Sequence, residues 1–203
     1  TRMIYGARVT LTIAGAATAL SFTMGATLGF ERTGRIDWLV ALLALAAALL
    51  MQIISNMQND VGYTVRGGES SGTRTGLPRA TANGWLSVGR VRAGIVVLAL
   101  LALGLGLALV VYRGWPVLAI GTASLLAALA YMGGPKPIAY TPFGELTVFV
   151  FFGLVAVMGT DWVLTGEVGS HLVELTACWT LVMLATGLYL WWPRTWRCRS
   201  RPA

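Results

Sequence analysis

Charged residues, cysteine and histidine are all scarce in this chain. Only 11% of its 203 residues are charged and 56% are hydrophobic, which is too apolar for a soluble domain with a hydrated surface. The two cysteines, Cys178 and Cys198, are too far apart in sequence for a paired metal site. The single histidine, His171, lies at the end of an apolar segment, where an interfacial residue is expected rather than a ligand. The composition indicates an integral membrane protein.

Apolar segments long enough to cross a hydrocarbon core of roughly 30 Å occur at six places. They are Val9–Phe30, Trp38–Ser55, Ala93–Tyr112, Trp115–Met132, Phe143–Leu164 and Leu172–Trp192. The first is followed by no cleavage pattern of small residues, so it is interpreted as a span and not a signal peptide. The predicted fold class is all-α, a polytopic membrane helical bundle of about six transmembrane helices. Because the sequence starts at Thr1 without a Met, we expect a fragment.

The net charge of +7 reports topology, because the basic residues lie in the loops between the spans. In a soluble protein this charge would suggest nucleic acid as a partner. With the N-terminus inside, only Arg32, Arg35 and Arg113 of the 15 lysines and arginines fall outside, as the positive-inside rule requires. We predict a multi-pass protein of the bacterial inner (cytoplasmic) membrane with both termini in the cytoplasm.

A run of polar residues begins within the second apolar segment. If the helix continues beyond Ser55 at about 100° per residue, five polar side chains share an arc of roughly 100°. They are Gln52, Asn56, Asn59, Asp60 and Tyr63. Polar side chains at such depth usually have a function. The alternative is that the amides and the carboxylate only cap the end of a helix, and that the arginines beyond them only set the topology.

These residue types suit the binding of a diphosphate through magnesium. Asn56 lies one turn before Asp60, so oxygens of both can face one hard cation, and such a cation also binds substrate phosphates. The stretch from Asn56 to Arg92, interpreted as a loop of about 35 residues, is long for a connection and favours a functional or lid role. Its arginines can bind phosphate oxygens bidentately. The cation and the arginines together predict an anion pocket at the membrane surface.

Several stretches between residues 7 and 161 follow one another in the order of a known family pattern. They are Ala7–Leu11, with Val9 in place of the usual Pro, the acidic motif Asn56–Gly62, the arginine segment Arg74–Ala80, and Gly133–Tyr140, Gly144–Leu146 and Phe151–Thr160. Together they resemble the UbiA family of membrane prenyltransferases. Within that family they are similar to the 1,4-dihydroxy-2-naphthoate polyprenyltransferases of menaquinone biosynthesis.

The resemblance implies transfer of a polyprenyl group from polyprenyl diphosphate to an aromatic acceptor, with Mg²⁺ as cofactor and the lipid bilayer as surroundings. It implies that Asn56 and Asp60 are the catalytic residues and the metal ligands. The substrate-binding residues that it implies are Asn59, Tyr63, Arg66, Arg74, Arg79, Lys136 and Tyr140. Tyr63 stands where the pattern usually carries a second Asp, so one carboxylate ligand is missing or Asn59 takes its place. Glu145, near the start of the fifth span, is a weaker candidate.

The resemblance ends near Asp161. The family pattern has nine spans and carries a second acidic motif after the sixth. No segment after Asp161 resembles that second motif. Instead, His171–Arg194 resembles a transmembrane helix of PepSY-associated proteins, which are often linked to iron uptake or reduction. We predict two parts: residues 1–161 form five helices of the prenyltransferase domain, and residues 162–203 form a PepSY-like helix with a basic cytoplasmic tail.

Three functions follow from these patterns. The first is the prenyltransferase, incomplete in this chain, whose site a homo-oligomer or a second chain could complete. The alternative from another class is a non-catalytic PepSY-associated membrane component. A small anion transporter is disfavoured because no internal repeat is visible. A nucleic-acid partner is not expected.

Overall fold

A computed structural model describes residues 2–67, 79–167 and 169, and this part of the chain is helical without a strand. The helices are α1 (Arg2–Thr33), α2 (Trp38–Val65), α3 (Val88–Arg113), α4 (Pro116–Met132), α5 (Phe143–Val148) and α6 (Ala156–Thr165). A 3₁₀ turn, Ile138–Tyr140, precedes α5. A π-helical stretch, Phe149–Val155, joins α5 to α6, so that one helical rod runs from Phe143 to Thr165.

Three of these rods are long and apolar enough to cross a membrane: α2, α3 and Phe143–Thr165. α4 is a shorter apolar helix, and α1 contains the first predicted span. The all-α membrane bundle predicted from the sequence is therefore confirmed, and the protein is a multi-pass membrane protein. The sixth predicted span, Leu172–Trp192, lies outside the described residues.

Helix α2 begins at a carboxylate cap and continues past the predicted membrane boundary. The Asp37 carboxylate accepts hydrogen bonds from the backbone N–H groups of Leu39 and Val40 at 3.1 and 3.2 Å, as an N-cap does. The helix does not end near Ser55, because the apolar face of its last turns, with Val61 buried, packs against α3.

The amides and the carboxylate of the polar run consequently lie inside α2. The alternative that they only cap a helix end is wrong, since the helix ends at Val65. The predicted loop Asn56–Arg92 is also too long. α3 begins at Val88, where the Ser87 hydroxyl accepts a hydrogen bond from the Arg90 N–H at 3.3 Å. The connection is therefore residues 66–87.

The helices pack around α2, which contacts α1, α3, α4 and α6. Two apolar cores lie at opposite ends of α2. One core includes Val40, Leu109, Val117 and Leu164. The second core includes Ile54, Val61, Val91 and Ile95. The second core fixes the end of α2 that carries the acidic motif against the first turns of α3.

Helix α1 lies very close to α6 through two glycines one turn apart. A Cβ atom on Gly25 would lie 2.5 Å from the Val157 carbonyl oxygen, and one on Gly29 would lie 3.0 Å from an Asp161 carboxylate oxygen. Small residues at this spacing let membrane helices approach until their backbones touch.

Two arginines that the sequence predicts on the non-cytoplasmic side link helices at the end of the bundle opposite the acidic motif. Arg32 donates to both carboxylate oxygens of Asp161 at 2.9 and 2.8 Å, and only 1% of the Asp161 side chain is exposed. Arg113 donates to the carbonyl oxygens of Val163 and Leu164 at 2.6 and 2.8 Å. The acidic motif lies at the opposite end of α2, which leaves that end for the functional site.

Candidate functional site

The Asp60 carboxylate is held by a residue that lies 21 positions further along the chain. The Thr81 hydroxyl donates to Oδ1 of Asp60 at 2.9 Å, and the Thr81 backbone N–H donates to Oδ2 at 3.3 Å. Thr81 is buried, with 7% of its surface exposed. Thr81 is not among the residues predicted from the sequence, because no motif or periodicity singles it out. The contact brings residues 79–86 back onto the acidic motif.

Tyr63, Arg79 and Tyr140 meet at the same end of α2 as this carboxylate. The Arg79 guanidinium carbon lies 4.0 Å from the centre of the Tyr63 ring, a cation–π distance. The Tyr140 ring meets the Tyr63 ring edge to face, with 6.5 Å between centroids and 84° between planes. Three side chains that the sequence predicts in one site, from three separate segments, are thus brought together.

Arg66 makes a different set of contacts from those expected of a phosphate ligand. Its Nη1 atom donates to the carbonyl oxygens of Gly62 at 3.1 Å and Met132 at 2.7 Å, and its Nη2 atom donates to the Gly134 carbonyl. Gly62 lies one helical turn before Arg66, and a Cβ atom on it would lie 2.5 Å from the Met132 carbonyl oxygen. Arg66 therefore joins α2 to the end of α4 and fixes the glycines that precede Lys136.

The other predicted residues are placed less tightly. Lys136 is exposed and lies two residues after Gly134, in the connection that Arg66 holds. Asn56 is half-buried one turn before Asp60 on α2. Arg74 lies outside the described residues. Glu145 lies in the first turn of α5, as predicted, where a carboxylate complements the helix dipole.

The oxygen atoms at this end of α2 fit a hard cation that a substrate also binds. Oδ1 of Asn59 is buried and has no hydrogen-bond partner among the described residues, an arrangement that costs about 1–3 kcal/mol unless a donor or a cation satisfies it. Asp60 adds a carboxylate, and Asn56 adds an amide oxygen. No group of three or more His, Cys, Asp or Glu side chains converges in residues 2–67, 79–167 and 169. One carboxylate and two amide oxygens suit Mg²⁺, because this ion is usually bound by one or two carboxylates together with substrate phosphates.

An apolar groove of about 420 Å³ opens beside α2, α3 and α4 but does not include this site. It is lined by Gln58 and Arg92 at its polar end and by apolar side chains, among them Ile95 and Leu129. Gln58 is two residues from Asp60, so it lies about 200° away around the helix. The groove therefore lies on the other side of α2.

Comparisons with known proteins identify the family of this chain. The profile of the UbiA prenyltransferase family matches residues 19–197. The chain is 35% identical over 155 residues to the 1,4-dihydroxy-2-naphthoate octaprenyltransferase of Escherichia coli, an alignment of 71% of this chain and 49% of the relative. It is 38% identical over 133 residues to the protein of that name in Mycobacterium tuberculosis, covering 62% and 42%. It is 30% identical over 160 residues to that of Haemophilus influenzae, covering 75% and 52%.

The chain thus spans about half the length of the curated relatives that it matches. No solved structure matches it at a significant level. The family match runs through residues 171–194, and no comparison supports the PepSY-associated alternative. Because the profile covers most of the sequence, the family predicted from the motifs is confirmed, and the chain belongs to the UbiA prenyltransferase family.

Proposed function

We propose that this chain is the prenyl-diphosphate-binding part of a membrane prenyltransferase whose aromatic acceptor is 1,4-dihydroxy-2-naphthoate. The observation that carries the proposal is the convergence of the Asp60 carboxylate, the Arg79 guanidinium and the Tyr140 ring at one end of the bundle. A carboxylate for a cation, a guanidinium for phosphate and an aromatic face are what the ionisation of an allylic diphosphate requires. The names of the relatives support the choice of acceptor.

The polar groups are assigned to the diphosphate. Asp60 and Asn56 would hold Mg²⁺, together with the Asn59 oxygen that has no hydrogen-bond partner among the described residues. When bound, the cation supplies charge stabilisation for the departing diphosphate. Arg79 and Lys136 bind phosphate oxygens. Arg74, outside the described residues, is proposed for the same role. Arg66 is engaged with three backbone carbonyls, so we assign it to placing the connection that carries Lys136.

The aromatic groups are assigned to the carbon skeleton. The bond between the allylic carbon and the diphosphate oxygen breaks, and its electron pair leaves with the diphosphate. An electron-rich ring carbon of the acceptor then forms a bond to the allylic cation, and the same carbon loses its proton to the released diphosphate, or its carboxyl group as CO₂, so that the aromatic ring is restored. Tyr140, which is 57% exposed at the mouth of the site, presents its ring to that cation, and the electron-rich face lowers the energy of the positive charge.

We also propose an orientation in the membrane. The arginines at the acidic-motif end and the positive-inside rule favour a cytoplasmic site, where a soluble acceptor precursor is available. The protein would lie in a bacterial inner membrane with its N-terminus inside. The isoprenoid tail of the donor would remain among the helices, in contact with lipid.

The test is a prenyl-transfer assay with membranes that contain the chain, magnesium, a polyprenyl diphosphate and 1,4-dihydroxy-2-naphthoate. The chain is compared with a version extended by the remaining spans of a relative. We expect prenylated product from the extended version at least, and none after Asp60→Asn. Asp37→Asn is the matched control, because Asn also caps a helix and Asp37 lies at the far end of α2. Unchanged product formation with Asp60→Asn, or no product from either wild-type version, would contradict the proposal.

A further inference from the structure

We propose that Thr81 is a positioning residue that orients the Asp60 carboxylate for the cation and diphosphate. The inference rests on the proposed function, because it assigns to Thr81 an effect on the ligand that Asp60 binds. It concerns a residue that neither the acidic motif nor the arginine segment contains. Its basis is the set of hydrogen bonds between Thr81, Asp60 and Thr64.

Thr81 contacts both oxygens of the carboxylate, one through its side chain and one through its backbone. The hydroxyl donates to Oδ1 at 2.9 Å and the backbone N–H to Oδ2 at 3.3 Å. Two donors from one residue fix the plane of the carboxylate as well as its position. Each carboxylate oxygen has about two acceptor sites. Among the contacts of the described residues, one site on each oxygen therefore remains for a cation.

The hydroxyl of Thr64 extends this network. Its oxygen lies 2.6 Å from that of Thr81 and 2.9 Å from the Asp60 carbonyl. A hydroxyl carries one proton, and the strongest use of the Thr81 proton is the charged carboxylate. The Thr81 oxygen can then accept the single proton of Thr64, in competition with the Asp60 carbonyl. When Thr64 donates to Thr81, the bonds run from Thr64 to Thr81 to Asp60, and the successive hydroxyls polarise one another in the same direction.

Thr81 is itself held in a compact turn, so it can impose a geometry on its neighbour. The backbone N–H of Trp85 donates to the Ala80 carbonyl at 2.9 Å, and that of Gly84 donates to the Thr81 carbonyl at 3.1 Å. The Asn83 side chain donates to the Arg79 carbonyl at 2.7 Å. The same turn carries Arg79 onto the Tyr63 ring. The turn of residues 79–86 thus positions both the Asp60 carboxylate, through Thr81, and the Arg79 guanidinium.

The experiment measures binding of Mn²⁺, in the presence of inorganic pyrophosphate, to the purified full chain by electron paramagnetic resonance. Thr81→Val keeps the shape and removes the hydroxyl. Carboxylates that bind metal depend on such supporting hydrogen bonds by about 10–100-fold in affinity, so we expect a loss of that size. Thr81→Ser keeps the hydroxyl and should bind nearly as wild type does. Thr160→Val is the matched control, because the Thr160 hydroxyl donates within its own helical rod, to the Ala156 carbonyl.

A double-mutant cycle separates orientation of Asp60 from a general effect on folding. The Asp60→Asn background is titrated to higher Mn²⁺ concentrations, so that its weak residual affinity is measured, and there Thr81→Val should lower the affinity no further, because the group that it orients has lost its charge. Thermal unfolding of each variant is measured in parallel, and Thr81→Ala replaces the valine variant if that protein does not fold. Equal Mn²⁺ affinity in wild type and Thr81→Val would overturn the inference and leave the proposed function intact. Absence of Mn²⁺ and pyrophosphate binding by wild type would overturn both.

Discussion

Replacing Arg66 by alanine distinguishes a phosphate ligand from a link between two helices. The guanidinium donates to carbonyl oxygens of Gly62, Met132 and Gly134, and so joins the end of α2 to the end of α4. A lysine retains the charge at this position, but it lacks the planar fork that spans three acceptors. We therefore expect Arg66→Ala and Arg66→Lys to have similar effects on stability.

The expected magnitude follows from the burial of these bonds. The bonds to Gly62 and Met132 are partly buried, whereas the bond to Gly134 is exposed. A hydrogen bond from a charged donor contributes about 1.5–3 kcal/mol when it is buried, and water reduces that value at a half-exposed site. Counting mainly the two inner bonds, at the lower end of this range, we expect a loss of about 2–3 kcal/mol in the free energy of unfolding.

The assay is equilibrium unfolding in detergent micelles, followed by circular dichroism, together with donor affinity measured on the folded fraction. If Arg66 links the helices, both variants lose stability, and the folded protein binds the donor nearly as wild type does. If it is a phosphate ligand, Arg66→Lys unfolds like wild type, and Arg66→Ala weakens donor binding strongly. The second result would refute the assignment of Arg66 to the connection before Lys136.

Three further predictions concern other contacts. Gly62→Val places a branched side chain where a Cβ atom already lies 2.5 Å from a carbonyl oxygen; we expect a loss of about 1–3 kcal/mol or more in unfolding experiments. Arg32→Ala leaves the Asp161 carboxylate, only 1% exposed, without its cationic partner; a loss of about 3–5 kcal/mol is expected by the same method, with prenyl transfer retained by the folded fraction. Tyr63→Phe keeps the ring under Arg79 and should leave the KM for the donor nearly unchanged. Tyr63→Ala removes the ring and should raise this KM about tenfold, which corresponds to roughly 1.4 kcal/mol of lost cation–π interaction.

Hydropathy and periodicity predicted the helices and the polar face because both depend on neighbours in sequence. The predicted span Phe143–Leu164 corresponds to a rod that ends at Thr165. The placement of Asn56 one turn before Asp60 could be predicted, because it depends only on the continuation of α2 beyond Ser55. The end of α2 was misjudged, because its polar residues resemble a loop when their apolar partners on α3 are unknown.

Contacts across long separations could not be predicted in the same way. Thr81 bonds a carboxylate 21 residues earlier, and Arg66 bonds a carbonyl 66 residues later. Both depend on how the connections fold back onto the helix ends, which no local pattern specifies. The charge of Arg66 thus marks it as a candidate in the sequence. Its partners could not be predicted, because they are backbone carbonyls, which every residue carries. Thr81 is an ordinary polar residue in composition and becomes notable only through its burial and its neighbours.

The most direct test of the account is the affinity of the purified chain for a non-reactive prenyl thiodiphosphate, measured calorimetrically with and without magnesium for wild type and Asp60→Asn. We predict binding that requires magnesium in wild type and is lost in the variant, because Asp60 supplies the carboxylate that faces the cation. Equal binding by the two proteins, or binding by wild type that is independent of magnesium, would contradict the assignment of this end of α2 as the diphosphate site.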